Sequence, residues 1–515
     1  MSEGTTPEDE CKDLHRNVLY QRDLIIVSNR GPFSVQRAED GTVTFARGSG
    51  GLVTALLGLA NQFPSTWISS PSSEDDRVWC EGQAPLSDTG ASIDLRFVGS
   101  SEEAFTGFYQ VISNPLLWFL QHSIWDFSSA PTINRATWDA WDNGYVNVNR
   151  LFAEAVVDRI KHSGRRSLVM MQDYHLYLAP RMIRQMQKNQ RSTLMTHFVH
   201  IPWPGPEDWG LLPKRMRESI LDGLCAVDLL GFQTMGDAMN FLRTCESLLP
   251  GARVNYRRGN VLLGNHITHV RDFPISIDVQ GVREQASMPE VAQFREQLEE
   301  LAGDRQIILR IDRTEPSKNI VRGFQAYDEM LETYPEHRGK VQFWALMVPS
   351  RLEVEEYQDY LGSLMSAAGL VNAKYGTSDW EPVRVLVGES YPRALAALQL
   401  YNVLLVNPVA DGMNLVAKEG PTVNQKDGVV ILSERAGAHQ QMGGHALVIA
   451  PCDVSATADA LHQGLTMPEA ERAARADELR KSVESEDIHL WMCWQLDAIQ
   501  ALIASNRKAR AHGRY

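Results

Sequence analysis

Five short stretches carry the residue types that handle phosphates and sugars. The octapeptide Asp312-Arg313-Thr314-Glu315-Pro316-Ser317-Lys318-Asn319 follows the apolar run 307–311. Arg and Lys five positions apart in a strand-to-helix loop can hold a diphosphate, the guanidinium as a fork and the ammonium as a point charge. Further on, Asp411-Gly412-Met413-Asn414-Leu415-Val416-Ala417-Lys418-Glu419 follows a run ending in Asn407-Pro408. Gly412 lets the chain turn, and the free N–H groups of a new helix face whatever lies before it. Asp411 can hold a sugar hydroxyl, and Glu419, a turn in, can reach a ribose.

Three motifs sit nearer the N-terminus. Gln172-Asp173-Tyr174-His175 ends a very apolar strand, where Asp173 can accept from sugar hydroxyls or cap the next helix. His197-Phe198-Val199-His200-Ile201-Pro202-Trp203-Pro204 runs into a proline-stiffened loop. The two histidines lie three apart, so along a strand they point to opposite faces and make poor joint metal ligands. A strand ending in Ser28-Asn29-Arg30 is followed by Gly48-Ser49-Gly50-Gly51-Leu52 before a helix, where small residues let backbone N–H groups approach a phosphate. That glycine spacing is neither GxGxxG nor a Walker loop. The acidic run Glu74-Asp75-Asp76 reads as a solvated loop rather than a metal site.

Positioning these motifs requires strands. Candidates are 24–28, 167–172, 195–200, 228–232, 307–311, 341–348, 383–387, 402–407, 429–433 and 446–450. Several are apolar at consecutive positions, as in parallel strands buried on both faces. Helix-length segments separate them, so the fold class is α/β with doubly wound sheets. One parallel sheet of that size would be unusual. The Pro-containing stretch 272–281 divides the chain into residues 21–275 and 276–487, with a tail at 1–20 and a helix and basic end at 488–515. Ligands of such sheets bind at the carboxyl ends of the strands, which here would line a cleft between two facing domains.

Composition narrows the class. The 515 residues carry 50 Lys+Arg against 64 Asp+Glu, a net charge of −14, which argues against a broad nucleic-acid surface. The N-terminus has no apolar core of a signal peptide and no apolar run spans a bilayer, so a cytoplasmic protein is expected. Six widely spaced cysteines are expected as reduced thiols. A homodimer or homotetramer is the common outcome for such enzymes.

With RTEPSK, DGMNLVAKE, QDYH and HIPWP all present, the chain resembles the trehalose-6-phosphate synthase family, from about Leu24 to about Leu496. These are retaining glucosyltransferases of the GT-B fold, with two Rossmann-like domains. The resemblance implies transfer of glucose from a nucleoside-diphosphate glucose to glucose 6-phosphate, by front-face attack and with no metal or other cofactor. It places Arg30, Tyr109, Trp118 and Arg351 on the acceptor phosphate. Gly51, Arg313 and Lys318 fall on the donor diphosphate, Asp173 and His200 at the sugar pockets, Asp411 with Gly412, Met413, Asn414 and Leu415 on the donor sugar and diphosphate, and Glu419 on the ribose. It also implies that the C-terminal helix crosses back onto the first domain. The family's ERLDYSKG reads DRTEPSKN here, with Pro316 and Asn319 as departures. That variant, with SNPLLWFLQHSIWDFSS, is similar to the related pseudoglycosyltransferase that makes validoxylamine 7′-phosphate. A synthase glucosylating another phosphorylated acceptor, such as glycerol 3-phosphate, is a further alternative.

Overall fold

The computed structural model describes residues 18–20, 22–48, 53, 56, 57, 60, 63–86, 92–126, 128, 130–187 and 193–511, without the side chains of 506–511. Its contacts separate two units. One contains the described residues up to Gln121, Trp125–Pro274 and the chain from His489; the other contains His122–Ile124 and Ile275–Ile488.

The second unit holds a six-stranded, wholly parallel sheet. Its spatial order is Val383–Val387, Val341–Val348, Gln306–Arg313, Val403–Val406, Val429–Ser433 and Leu447–Ile449. Numbered along the chain, that order is 3-2-1-4-5-6, the doubly wound arrangement in which strand order reverses between the first and fourth strands. The apolar runs explain the burial: Val341–Met347 is buried throughout, because helices cover both faces of a parallel sheet. Helices Ile320–Thr333, Glu355–Tyr375 and Val454–Thr466 supply Phe324, Tyr327, Met330, Leu364 and Leu461 to one core with Phe343 and Ile431.

The first unit repeats the logic in a ten-stranded sheet. Its central run is Leu229–Phe232, Thr193–Phe198, Arg166–Gln172, Arg22–Val27, Ser65–Ser69 and Ser92–Phe97, all parallel. Along the chain this is again the 3-2-1-4-5-6 order, read from the opposite edge. The reversal falls between Arg22–Val27 and Arg166–Gln172, which pair with Ile25 opposite Val169. Antiparallel Glu81–Pro85 closes one edge; His266–Asp272, parallel to Leu229–Phe232, extends the other, followed by antiparallel Asn260–Leu263 and Arg253–Asn255.

Two expectations are corrected. Glu74-Asp75-Asp76 is not a solvated loop: it opens the helix Glu74–Trp79, where buried Asp76 completes a capping box with Ser73 and accepts from Val35 N at 2.7 Å. Not every cysteine is a free thiol either; Cys80, Cys225, Cys245 and Cys452 are free, but Cys493 is disulfide-bonded. Among the described residues no helix is long and apolar enough to cross a membrane.

Candidate active site

In the second unit, both candidate motifs leave the two strands that flank the switch point. Arg313 is the last residue of Gln306–Arg313, and Asp411 lies just beyond Val403–Val406. Lys318, from the first loop, forms an ion pair with Asp411 from the second. Burial alone would raise the Asp411 carboxyl, but the Lys318 ammonium outweighs it and holds it below the ordinary range. For Lys318, burial works downward and is outweighed by Asp411 and then Glu315, which raise it. Both groups are therefore charged at neutral pH.

Glu315, which sequence reasoning passed over, is the hub of the cluster. Its side chain is fully buried and accepts from Arg313 Nη2 at 3.0 Å, while Arg351 Nη1 lies 3.4 Å from its other oxygen. Burial pushes this carboxyl up, yet Arg313, Arg351 and Lys318 together bring it below its usual value. Arg351 also donates to the Tyr357 hydroxyl, with its guanidinium carbon 5.3 Å from that ring centroid. Behind them, fully buried Arg310 binds Asp312 through Nε and Nη2 at 3.1 and 2.7 Å, and donates to Lys318 O at 2.9 Å. The basic residues thus face Glu315, Asp312 and Asp411 rather than forming a bare positive patch. Arg313, with 44% of its side chain exposed, is the cation this cluster offers outward.

The departures from the family octapeptide have local reasons. Pro316 opens the 3-10 turn Pro316–Lys318, where a missing N–H costs nothing. Asn319 takes left-handed backbone, φ 59° and ψ 37°, a conformation that Gly adopts freely and Asn tolerates better than most. Its amide then donates to Asn407 O at 2.9 Å and Pro451 O at 2.7 Å, tying the loop to the neighbouring strand end.

The 411–415 loop is built against a second loop. Asp411 N donates to Arg435 O at 3.1 Å, Gly437 N to Asp411 O at 3.1 Å, and Ala438 N to Met413 O at 3.0 Å. A Cβ at Gly437 would lie 1.9 Å from Gly412 O, so no other residue fits there. Asn414, at φ 71°, donates to Asp411 Oδ2 at 3.1 Å and accepts from Ala417 N at 3.3 Å, starting the helix Val416–Val423. Leu415 directly precedes that helix. Glu419 accepts from the Tyr391 hydroxyl at 3.0 Å, and burial raises its carboxyl. Lys418 turns the other way: its buried Nζ donates to Ile275 O at 2.9 Å, and burial pushes its pKa down to about 8.

The first unit's switch point is flanked by Ser28-Asn29-Arg30 and Asp173. Ser28 Oγ donates to Arg30 O at 2.6 Å and accepts from Trp67 Nε1 at 2.8 Å, leaving Arg30 exposed beyond the strand. Asp173 has φ 69° and ψ 175°, strained for a residue with a Cβ. It is held there because its N donates to Phe198 O at 2.7 Å and its Oδ1 accepts from His200 N at 3.3 Å. His200 Nε2 lies 3.0 Å from Gln172 Oε1 and its Nδ1 lies 3.4 Å from Gln233 Nε2, a pattern that puts the proton on Nε2. Burial, with neighbouring His197, lowers His200 to about 3, so the ring is neutral. Tyr109 stacks on Phe105 and His175. Trp118 is buried, 5.4 Å from the Tyr174 ring. Gly51 lies outside the described residues.

The structure groups Arg313, Lys318, Arg351, Asp411 to Leu415 and Glu419 in the second unit, and Arg30, Tyr109, Trp118, Asp173 and His200 in the first. The sequence motifs assign no role to Glu315, Asp312 or Gln172, which they contain, nor to Arg310, Tyr357, Tyr391 or Gln233. Glu315 and Asp312 stand inside the quoted octapeptide, so an acid beside each base was the available signal; Tyr357 and Tyr391 gave none.

Two doubly wound sheets, each with polar residues at its switch point, are the architecture of the GT-B fold. Residues 22–501 match Glycosyltransferase family 20, and the chain belongs to that family. It is 31% identical to an alpha,alpha-trehalose-phosphate synthase [UDP-forming] of Schizosaccharomyces pombe, over 94% of this chain and 91% of that one. It is 34% identical to a trehalose-6-phosphate synthase of Salmonella choleraesuis, over 86% and 90%. Among solved structures, an E. coli trehalose-6-phosphate protein bound with UDP-2-fluoro glucose superposes with a TM-score of 0.78 at 29% identity, covering 93% of this chain and 98% of that one. A UDP-forming synthase from Burkholderia vietnamiensis gives 0.81 at 26%, covering 95% and 99%.

Proposed function

We propose that this chain makes trehalose 6-phosphate, transferring glucose from a nucleoside-diphosphate glucose to the anomeric hydroxyl of glucose 6-phosphate with retention. The observation that carries this reading is the Arg313–Lys318–Asp411–Glu419 constellation, assembled from the two strand ends at one switch point. A diphosphate there meets Arg313 and Lys318, a sugar meets Asp411 and the 412–415 backbone, and a ribose meets Glu419. The relatives named UDP-forming make uridine diphosphate glucose the first donor to try.

The chemistry rests on positioning and charge. The anomeric carbon loses its bond to the diphosphate while the acceptor hydroxyl attacks the same face, and the departing phosphate oxygen takes the hydroxyl proton. Arg313 and Lys318 neutralise the leaving group, the role a metal takes elsewhere, so turnover should survive chelation. His200, neutral and with both ring nitrogens engaged by Gln172 and Gln233, lines the sugar pocket and transfers no proton. Arg30, Tyr109 and Trp118 grip the acceptor phosphate. A cytoplasmic homodimer or homotetramer completes the proposal, read by light scattering.

A donor-by-acceptor activity matrix with product identification tests it. Trehalose 6-phosphate from a nucleoside-diphosphate glucose and glucose 6-phosphate is the expected product. Turnover only with an aminocyclitol phosphate or glycerol 3-phosphate would replace this reading with one of the two alternatives.

A further inference from the structure

Away from both switch points, the second unit brings two histidines and a carboxylate together. The turn Pro335–His337, between Ile320–Thr333 and Val341–Val348, carries Glu336 and His337. The helix Val454–Thr466 presents His462 to it. His337 Nε2 and His462 Nδ1 lie 2.9 Å apart. One ligand atom from each of Glu336, His337 and His462 falls within 4.8 Å of the other two. The His462 ring is held by Tyr334, stacked on it at 3.8 Å and 8°. Tyr334 is itself anchored through its hydroxyl to Asp459 Oδ1 at 2.7 Å.

We propose that Glu336, His337 and His462 bind a divalent transition-metal ion, zinc first, that clamps the 335–337 turn to the helix. Two imidazoles on one tetrahedral zinc place their nitrogens roughly 3.3 Å apart, so the pair opens by ~0.4 Å and both rings swing until their lone pairs converge on the metal instead of on each other. Glu336 is exposed and closes its remaining distance by rotating. Neutral imidazole is the form that binds metal. Two nitrogens and one carboxylate suit zinc, copper or nickel better than magnesium or calcium, which take oxygen. The three protein ligands leave a fourth position to water. None of them belongs to the proposed glucosyl-transfer machinery, so the site is structural and independent of that reading.

Chelator-stripped full-length protein is titrated with zinc chloride by calorimetry and thermal unfolding, alongside Glu336→Gln and His462→Gln. The wild type is expected to bind one zinc per chain and to unfold at a higher temperature as zinc saturates. His462→Gln should bind at least ~100-fold more weakly, and Glu336→Gln ~10-fold or more weakly, without a change in glucosyl turnover. Glu336 is exposed, so its variant stays folded and keeps the comparison valid. Equal zinc affinity in wild type and both variants, or no stoichiometric binding at about 100 μM zinc, would overturn the proposal and leave a bare imidazole–imidazole hydrogen bond.

Discussion

Lys318 donates to Asp411 across the switch point of the second unit, so the ammonium expected on a diphosphate already has a carboxylate partner. In the proposed donor site a bound diphosphate would share Lys318 with Asp411, whose carboxylate also accepts from Asn414 Nδ2. The ion pair holds the two proposed ligand-binding groups against one another, at a cost that ligand contacts would recover.

Removing either cation should show in turnover. Arg313→Ala or Lys318→Ala is expected to lower kcat by roughly 10²-fold or more, the loss seen when one preorganised donor is removed. Lys318→Ala also leaves buried Asp411 without its ammonium, so it should be the less stable variant in a denaturant melt. Near-wild-type turnover in both would sink the donor-site assignment.

Acceptor recognition should separate from donor chemistry. Arg30→Ala is expected to raise the glucose 6-phosphate KM with kcat little changed, because it removes binding common to ground and transition states. Steady-state kinetics with glucose in place of glucose 6-phosphate should show poor turnover. Equal use of both sugars would remove the phosphate pocket.

Asn319 offers a backbone test. Asn319→Ala should lose at least about 2 kcal/mol, combining a left-handed penalty of about 1–2 kcal/mol with three lost side-chain hydrogen bonds, to Asn407 O and Pro451 O and from Arg322 Nη1. Asn319→Gly removes the same bonds but not the conformation, so it should cost less. A melt ranking Gly below Ala would contradict this.

The buried histidines set a pH dependence. Burial lowers His197 to about 4 and His200 to about 3, below the unfolded value near 6.5. Between those limits the unfolded chain binds more protons, so stability rises with pH. Acid should weaken the fold below about pH 6.5 by at most about 1.4 kcal/mol per pH unit for each ring. Denaturant midpoints for wild type and His200→Gln at pH 7, 6 and 5 check this; the variant should fall less steeply. The same values put no His200 inflection in the kcat profile between pH 5 and 8.

The ten strands read from apolar runs all exist, because parallel strands covered on both faces leave an unbroken hydrophobic record. Ser65–Ser69 escaped, since Ser, Thr and Trp dilute that record even though the strand is fully buried. The antiparallel strands Glu81–Pro85, Arg253–Asn255 and Asn260–Leu263 at the margins of the ten-stranded sheet escaped as well, being short and partly exposed. At the site, residue types exposed the cations, but not their counter-charges. The sequence motifs set Arg313, Lys318 and Arg351 on phosphates; Glu315 and Asp411 compensate much of their charge. That pairing depends on side chains folding back from a strand end, which spacing alone does not encode. Tyr357, six residues beyond Arg351, is held by a helix that the octapeptide says nothing about.

The contact between Gly437 and Gly412 has a consequence for how such an enzyme can change. With no room for a side chain between them, the two loops are mechanically one part despite being far apart along the chain. A substitution meant to retune sugar choice in 411–415 has to be accommodated in 435–438 as well. Transplanting one loop from a relative without the other should misplace it. Grafts should succeed when both travel as a cassette.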